Sequence, residues 1–117
     1  MARVAFLIPI RPGKREAYVQ FAKSLSADQL VPLYRQYGVT AHAAFVGQDV
    51  IVSYYEAANP ADVRAMWALA TVQEVVRTQM SSLVELDPLN LKFLDVVFDW
   101  QEASDRIRTA GTGDGER

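Results

Sequence analysis

The stretch VTAHAAFVGQDVIVSYYE, residues 39–56, decides the fold. It contains two runs rich in β-branched and aromatic residues, 39–46 and 50–56, separated only by Gly47-Gln48-Asp49. A three-residue connection carrying a glycine is too short for a crossover, so the runs must pair antiparallel as a hairpin. Adjacent Tyr54 and Tyr55 then point to opposite faces of the sheet.

Working outward toward the N-terminus, Gly38 is placed to end a helical segment in the left-handed conformation. That segment has Leu30, Leu33, Tyr34 and Tyr37 on its apolar side, with Ser26-Ala27-Asp28-Gln29 resembling a capping box and Pro32 tolerated near the start. Before it, Ala17, Tyr18, Phe21, Ala22 and Leu25 recur at spacings of three and four, which predicts a first helix from about Lys14. The Arg11-Pro12-Gly13 turn separates that helix from an alternating run over residues 3–10, with Val4, Phe6, Ile8 and Ile10 on one face.

Toward the C-terminus, Asn59-Pro60-Ala61-Asp62 reads as a helix start: a capping side chain, proline at the first position, and an acid at the positive end of the dipole. Apolar residues at helical spacing from Val63 to Leu83 predict one helix, with a local irregularity at Thr71-Val72. Residues 93–100 alternate again and predict a fourth strand, Leu94, Val96, Phe98 and Trp100 against Phe93, Asp95, Val97 and Asp99. From Ser104 onward little remains to bury, so the expected organisation is one domain over 1–103 and a flexible tail over 104–117.

The order strand, helix, strand, strand, helix, strand is the split βαβ arrangement of a ferredoxin-like α+β fold with a four-stranded antiparallel sheet. Its helices cover one face, yet the strands carry apolar residues on both. A second copy is the simplest cover for the other face, which predicts a homodimer, a dimeric α+β barrel. Hiding ~700 Å² of apolar surface per chain would supply ~17 kcal/mol before association costs.

Composition narrows the function. The 117 residues carry a formal charge of −2, with both signs interspersed, so no basic track for nucleic acid is expected. No cysteine and a single histidine argue against thiolate or imidazole-rich metal sites. No glycine-rich phosphate cradle and no Ser-His-Asp set is present, so no cofactor is expected. The longest early apolar stretch, residues 4–10, is short of the ~18 residues a membrane span needs and begins too near Met1 for a signal peptide, which predicts a cytoplasmic protein without a membrane partner.

Few side chains are left for chemistry. His42 is the one group that titrates near neutrality, a candidate general base or acid beside a carbonyl, or else a structural histidine. Tyr18, Tyr54 and Tyr55 can donate to a developing enolate or phenolate oxygen, with at most one of the adjacent pair on the helix side. Trp67 and Met66 lie in the apolar band of the second long helix, where they line a wall for a flat ligand or simply fill core. Asp95 and Asp99 share one face of the last predicted strand, as bases with raised pKa if enclosed and as surface charges if not.

The segment Arg11-Pro12-Gly13-Lys14-Arg15-Glu16-Ala17-Tyr18 resembles the first turn of rhamnose-mutarotase-like proteins, and Met66-Trp67-Ala68-Leu69-Ala70 resembles their second-helix segment. The resemblance covers roughly residues 3–101 and implies that Tyr18 and Trp67 lie near a pocket. That family places a catalytic histidine one helical turn beyond the tyrosine, where this chain has Ala22. The pattern also resembles tetracenomycin-type polyketide cyclases, SchA/CurD-like proteins and cofactor-free antibiotic-biosynthesis monooxygenases. Taken with the residue chemistry above, the expectation is a cofactor-independent, polyketide-cyclase-like enzyme of secondary metabolism with a small-molecule substrate, His42 and Tyr18 catalytic, and Tyr54, Tyr55, Trp67, Met66 and Asp95 binding. The alternatives are a monooxygenase, a sugar mutarotase-like enzyme, or a noncatalytic partner of a biosynthetic enzyme.

Overall fold

The computed structural model describes the backbone of residues 1–114 and the side chains through Arg108; of the expected tail, residues 115–117 lie outside the described residues. Three strands form the sheet: β1 (Ala2–Pro9), β2 (Val39–Val46) and β3 (Val50–Ala57), in the order β1-β3-β2 with both pairings antiparallel. The hairpin forms where the sequence requires it, closed by the Gly47 N–H on the Val50 carbonyl at 2.7 Å. Between Val39 and Ala41 the register slips, which places Val39 opposite Ala57 and His42 opposite Tyr55.

The first helical region divides as expected into α1 (Arg15–Lys23) and α2 (Ala27–Gln36). The capping box does not form: Ser26 is extended, as an N-cap should be, but only its carbonyl accepts from the helix, at Gln29 and Leu30. Gly38 has φ of 68°, the left-handed cap the sequence calls for. The next helix starts as read, with Asn59 Oδ1 accepting from the Ala61 N–H at 2.9 Å.

That helix is not continuous to Leu83. α3 (Pro60–Trp67) ends, Leu69 turns extended at ψ 140°, and the chain resumes as α4 (Ala70–Val75) and a π-helical turn, Val76–Met80. Gln73 stabilises the break by donating from Nε2 to the Ala68 carbonyl at 2.6 Å. The irregularity therefore falls before Thr71-Val72.

The fourth strand is the larger correction. Residues 93–100 do not join the sheet as a strand, and the three-stranded sheet keeps β1 at its edge. The chain meets that edge twice, at the Ile10–Val84 bridge and where the Leu94 N–H donates to the Ala5 carbonyl at 2.8 Å. Between these points an Asx turn at Asp87 pulls the backbone out of line. The expected unstructured tail also differs: α5 runs over Trp100–Asp114.

The core lies between the sheet and helices α1 to α4. Phe6, Ile8, Ile51, Tyr55, Val63 and Val84 are almost fully buried there. On the opposite face Leu7 and Phe45 are 48% and 60% exposed. The radius of gyration, 17.4 Å, exceeds the ~13 Å expected of a compact chain this long.

Candidate functional site

The polar side chains on the helix side of the sheet gather around one point. The β-bulge sets His42 beside Tyr55 across the β2–β3 ladder, and their rings stack at 4.1 Å with 5° between planes. From above, α2 brings Tyr34, edge-on to His42 with the ring centroids 5.6 Å apart, and its hydroxyl lies 2.6 Å from His42 Nδ1. From α3, Trp67 Nε1 donates to the Tyr55 hydroxyl at 3.1 Å. Phe6 of β1 supports both, stacked on Tyr55 and edge-on to Trp67, and Phe93 covers Phe6 from the other side. Arg64 lies 4.0 Å over the Phe93 ring, a cation–π contact that closes this end.

This shell decides the protonation states. Burial among rings disfavours charge, so His42 is pushed down from 6.5 to about 4 and is neutral at physiological pH. His42 nevertheless sits on an edge strand and stays accessible, so water screens part of that effect. Tyr34 is pushed up to about 12, chiefly by burial, with the neighbouring Tyr55 hydroxyl opposing it. Tyr55, 1% exposed, is raised further for the same first reason, and burial raises Tyr18 as well. All three phenols are therefore donors at neutral pH.

Of the residues singled out in the sequence, the structure brings His42, Tyr55 and Trp67 into direct contact and holds Tyr18 close enough to raise Tyr55 electrostatically. Met66 is buried core of the same helix as Trp67. Tyr54 and Asp95 lie elsewhere, on the opposite face of the sheet, where they line a trough of about 600 Å³ with Arg3, Ala5 and Asp99. There Tyr54 donates to Glu56 at 2.7 Å and Arg3 pairs with Asp99 at 2.5 Å. Asp99 is not an enclosed base: the backbone N–H of Glu102, then Arg3, hold its carboxyl below the usual range, and it caps the first turn of α5.

Tyr34 is the residue that sequence reading missed. It was legible only as part of an apolar stripe, but a signal existed. Gly38 alone separates the end of α2 (with Tyr37 as its cap) from β2, and so short a return lays the last turn of the helix over the first residues of the strand. A second hollow of about 280 Å³ lies between Arg64, Ala68 and Leu89, and neither it nor the trough is lined by His42.

No protein-family model matches the chain, and no curated protein does. Solved structures do. An L-rhamnose mutarotase from Formosa agariphila superposes over 85% of this chain and 98% of its own, with a TM-score of 0.66 at 17% identity. Tetracenomycin F2 cyclase from Streptomyces glaucescens, a type-II polyketide cyclase, covers 86% of this chain and 97% of its own at a TM-score of 0.58 and 16% identity. The chain has a ferredoxin-like α+β fold. A candidate antibiotic biosynthesis monooxygenase from Chloroflexus aurantiacus shares that ferredoxin-like fold over 83% of this chain and 93% of its own, with a TM-score of 0.50 and 18% identity. At such identities the likeness is one of fold, and the same fold carries three chemistries.

Among the described residues no helix is long and apolar enough to cross a membrane, and no three acidic or histidine side chains are grouped to hold a metal.

Proposed function

We propose that this chain is a cofactor-independent, polyketide-cyclase-like enzyme of secondary metabolism, acting as a cytoplasmic homodimer on an extended or aromatic poly-β-ketone. The observation that carries the reading is the 2.6 Å contact between the Tyr34 hydroxyl and His42 Nδ1, held over the Tyr55 ring. A neutral imidazole engaged at Nδ1 leaves Nε2 to meet a ligand, and the aromatic surround suits a flat, conjugated one.

The reaction needs little machinery. A carbon between two carbonyls loses a proton, the resulting enolate carbon attacks a second carbonyl of the same chain, and the new alkoxide takes a proton; a C–C bond forms with no net redox change. Holding the chain in a near-attack shape lowers the entropic part of the barrier. Groups that exchange or donate protons at the developing oxyanion lower the rest. His42 and Tyr34 fill that role, with Tyr18 behind them and Trp67 and Met66 as wall. A type-II polyketide cyclase is built on the same fold, and Ala22, where the mutarotase-like family places its catalytic histidine, speaks against the mutarotase-like rival.

Turnover of a linear poly-β-ketone, followed by mass spectrometry against the spontaneous background, tests the reading. His42→Ala should lower the catalysed rate by roughly 10²–10⁴-fold, the usual worth of a proton-transfer group. A rate equal to wild type removes His42 from the chemistry. One observation favours the noncatalytic partner instead: rings crowd the sheet around His42, and neither cavity reaches it. That reading predicts no acceleration by wild type over background.

A further inference from the structure

We propose that the outward face of the His42 imidazole is a stacking platform for a planar, conjugated ring of a small-molecule ligand, which extends by one member a file of rings that crosses the sheet. The inference rests on the reading of His42 as the group that meets the ligand, and it specifies where that ligand lies and in what orientation.

The file has four members. Phe93, Phe6, Tyr55 and His42 follow one another with centroids 6.0, 6.1 and 4.1 Å apart and with 27°, 11° and 5° between successive planes. Phe6 stands on β1, Tyr55 on β3 and His42 on β2, so the file runs across the strands in the order in which they pair. Arg64 closes the Phe93 end, 4.0 Å over that ring. The His42 end is open, because β2 pairs on one side only and no strand lies beyond it among the described residues.

The last pair sets the direction of the open face. Two rings 5° from parallel and 4.1 Å apart overlap face to face, so the normal of the imidazole points from Tyr55 through His42 and out past the sheet edge. Tyr55 is 1% exposed, whereas His42 is exposed, and Ala44, two residues on and on the same face of β2, is short and exposed as well. Tyr34 holds the platform in place. It stands edge-on to His42 and to Tyr55, with centroids 5.6 and 6.4 Å away, and its hydroxyl lies 2.6 Å from His42 Nδ1. Whichever of those two groups donates, the contact fixes the plane of the imidazole. Among the described residues no ring other than Tyr34 and Tyr55 meets His42. A ring already oriented, with one face stacked and the other in water, favours a flat π system over a saturated skeleton of the same size. Offset stacking leaves the next atoms of the ligand beside Nε2. Neither hollow is lined by His42, so the site is a shelf that holds the ligand by one face.

The chain has one histidine, so isotope-labelled histidine in the full-length protein reports this platform alone, whatever binds elsewhere. Coumarin is the probe, and octahydrocoumarin, the same skeleton with its carbocycle and alkene saturated, is the control. Titration with coumarin should move the His42 Cε1–H resonance upfield to a plateau, through the ring current of the stacked probe, while the control leaves it in place. His42→Leu should weaken coumarin binding, read from saturation transfer to the probe's own protons, by about 2–12-fold, the worth of an aromatic pair. His42→Phe, which keeps a flat ring, should restore it. An unmoved His42 signal, an equal shift with the saturated control, or unchanged binding by His42→Leu overturns the proposal. So does a His42 signal that moves upfield with protein concentration alone and then ignores coumarin, since a ring of a second copy then occupies the face. Coumarin stacked on His42 with undiminished turnover in His42→Ala keeps the platform and removes the enzymatic reading. Lost turnover in that variant with an unmoved His42 signal does the reverse.

Discussion

Lowering the pH through the range where an ordinary histidine ionises should destabilise this fold through His42. In the unfolded chain His42 takes up a proton near pH 6.5; in the fold it does so only near 4, because the ring lies against Tyr34 and Tyr55. Between those values the unfolded state binds more protons, so stability falls as pH falls, and the contribution is complete only above about 6.5. A fully desolvated imidazole would lose ~3 kcal/mol across that window, at ~1.4 kcal/mol per pH unit. His42 stays accessible on its edge strand, and solvent screening reduces the expectation to ~1 kcal/mol. Neither tyrosine around it ionises in this range, and His42 makes no ion pair among the described residues. Urea unfolding of wild type and His42→Gln at matched concentration, from pH 7 to 4.5, isolates the effect, since the carboxylates titrate alike in both. The stability difference should move against wild type by ~1 kcal/mol as pH falls. A difference that stays flat, or a His42 titration by NMR at 6.5 or above, refutes the account of the ring as dehydrated by its neighbours.

Phe6→Ala should destabilise by about 3–5 kcal/mol in chemical denaturation, since Phe6 is 1% exposed and touches the rings of Tyr55, Trp67 and Phe93 at once. Gly38→Ala should cost about 1–2 kcal/mol through backbone strain alone, because φ is 68° while the nearest atom to an added Cβ, on Ala58, is a comfortable 3.8 Å away. Phe45→Asp should leave the far-ultraviolet circular dichroism of the chain intact while shifting sedimentation toward the monomer; an undiminished dimer would show that the proposed interface lies elsewhere.

What could be read in advance was what neighbouring residues determine. The β2–β3 hairpin depends on Gly47-Gln48-Asp49, the start of α3 on Asn59 and Pro60, and the end of α2 on Gly38, each a local device. The failures share a different physics. Residues 93–100 have the alternation of a strand, but a strand exists only through its partner, and here this segment meets β1 through one backbone bond, from the Leu94 N–H to the Ala5 carbonyl. The break at Leu69 depends on a side chain, Gln73, that looks unremarkable in sequence. At the site, His42 and Tyr55 were legible as polar groups and Trp67 as wall, whereas their contact depends on the bulge at the start of β2, which fixes which residues share a face.

The departure of residues 93–100 from β1 bears on assembly. Six of the exposed large apolar side chains, Leu94, Val96, Val97, Phe98, Trp100 and Ile107, follow the point where the chain leaves β1, and Val97 is 95% exposed. Leu7 and Phe45 stand exposed on the sheet face that no helix covers. A monomer rarely leaves contiguous apolar surface of this extent in water. Covering ~800 Å² on each partner is the usual scale of a stable interface. In the proposed homodimer the uncovered face and the C-terminal arm would be satisfied together, because two-fold symmetry sets the arm of each copy against an equivalent surface. The polar elements of this region fit such a role: Arg3, bonded to Asp99 and near Glu56, ties the first turn of α5 to β1 and so fixes the direction in which the arm leaves the body. The helix-side cluster around His42 makes no use of these residues, so in the proposed enzyme assembly and chemistry would lie on opposite faces of one sheet.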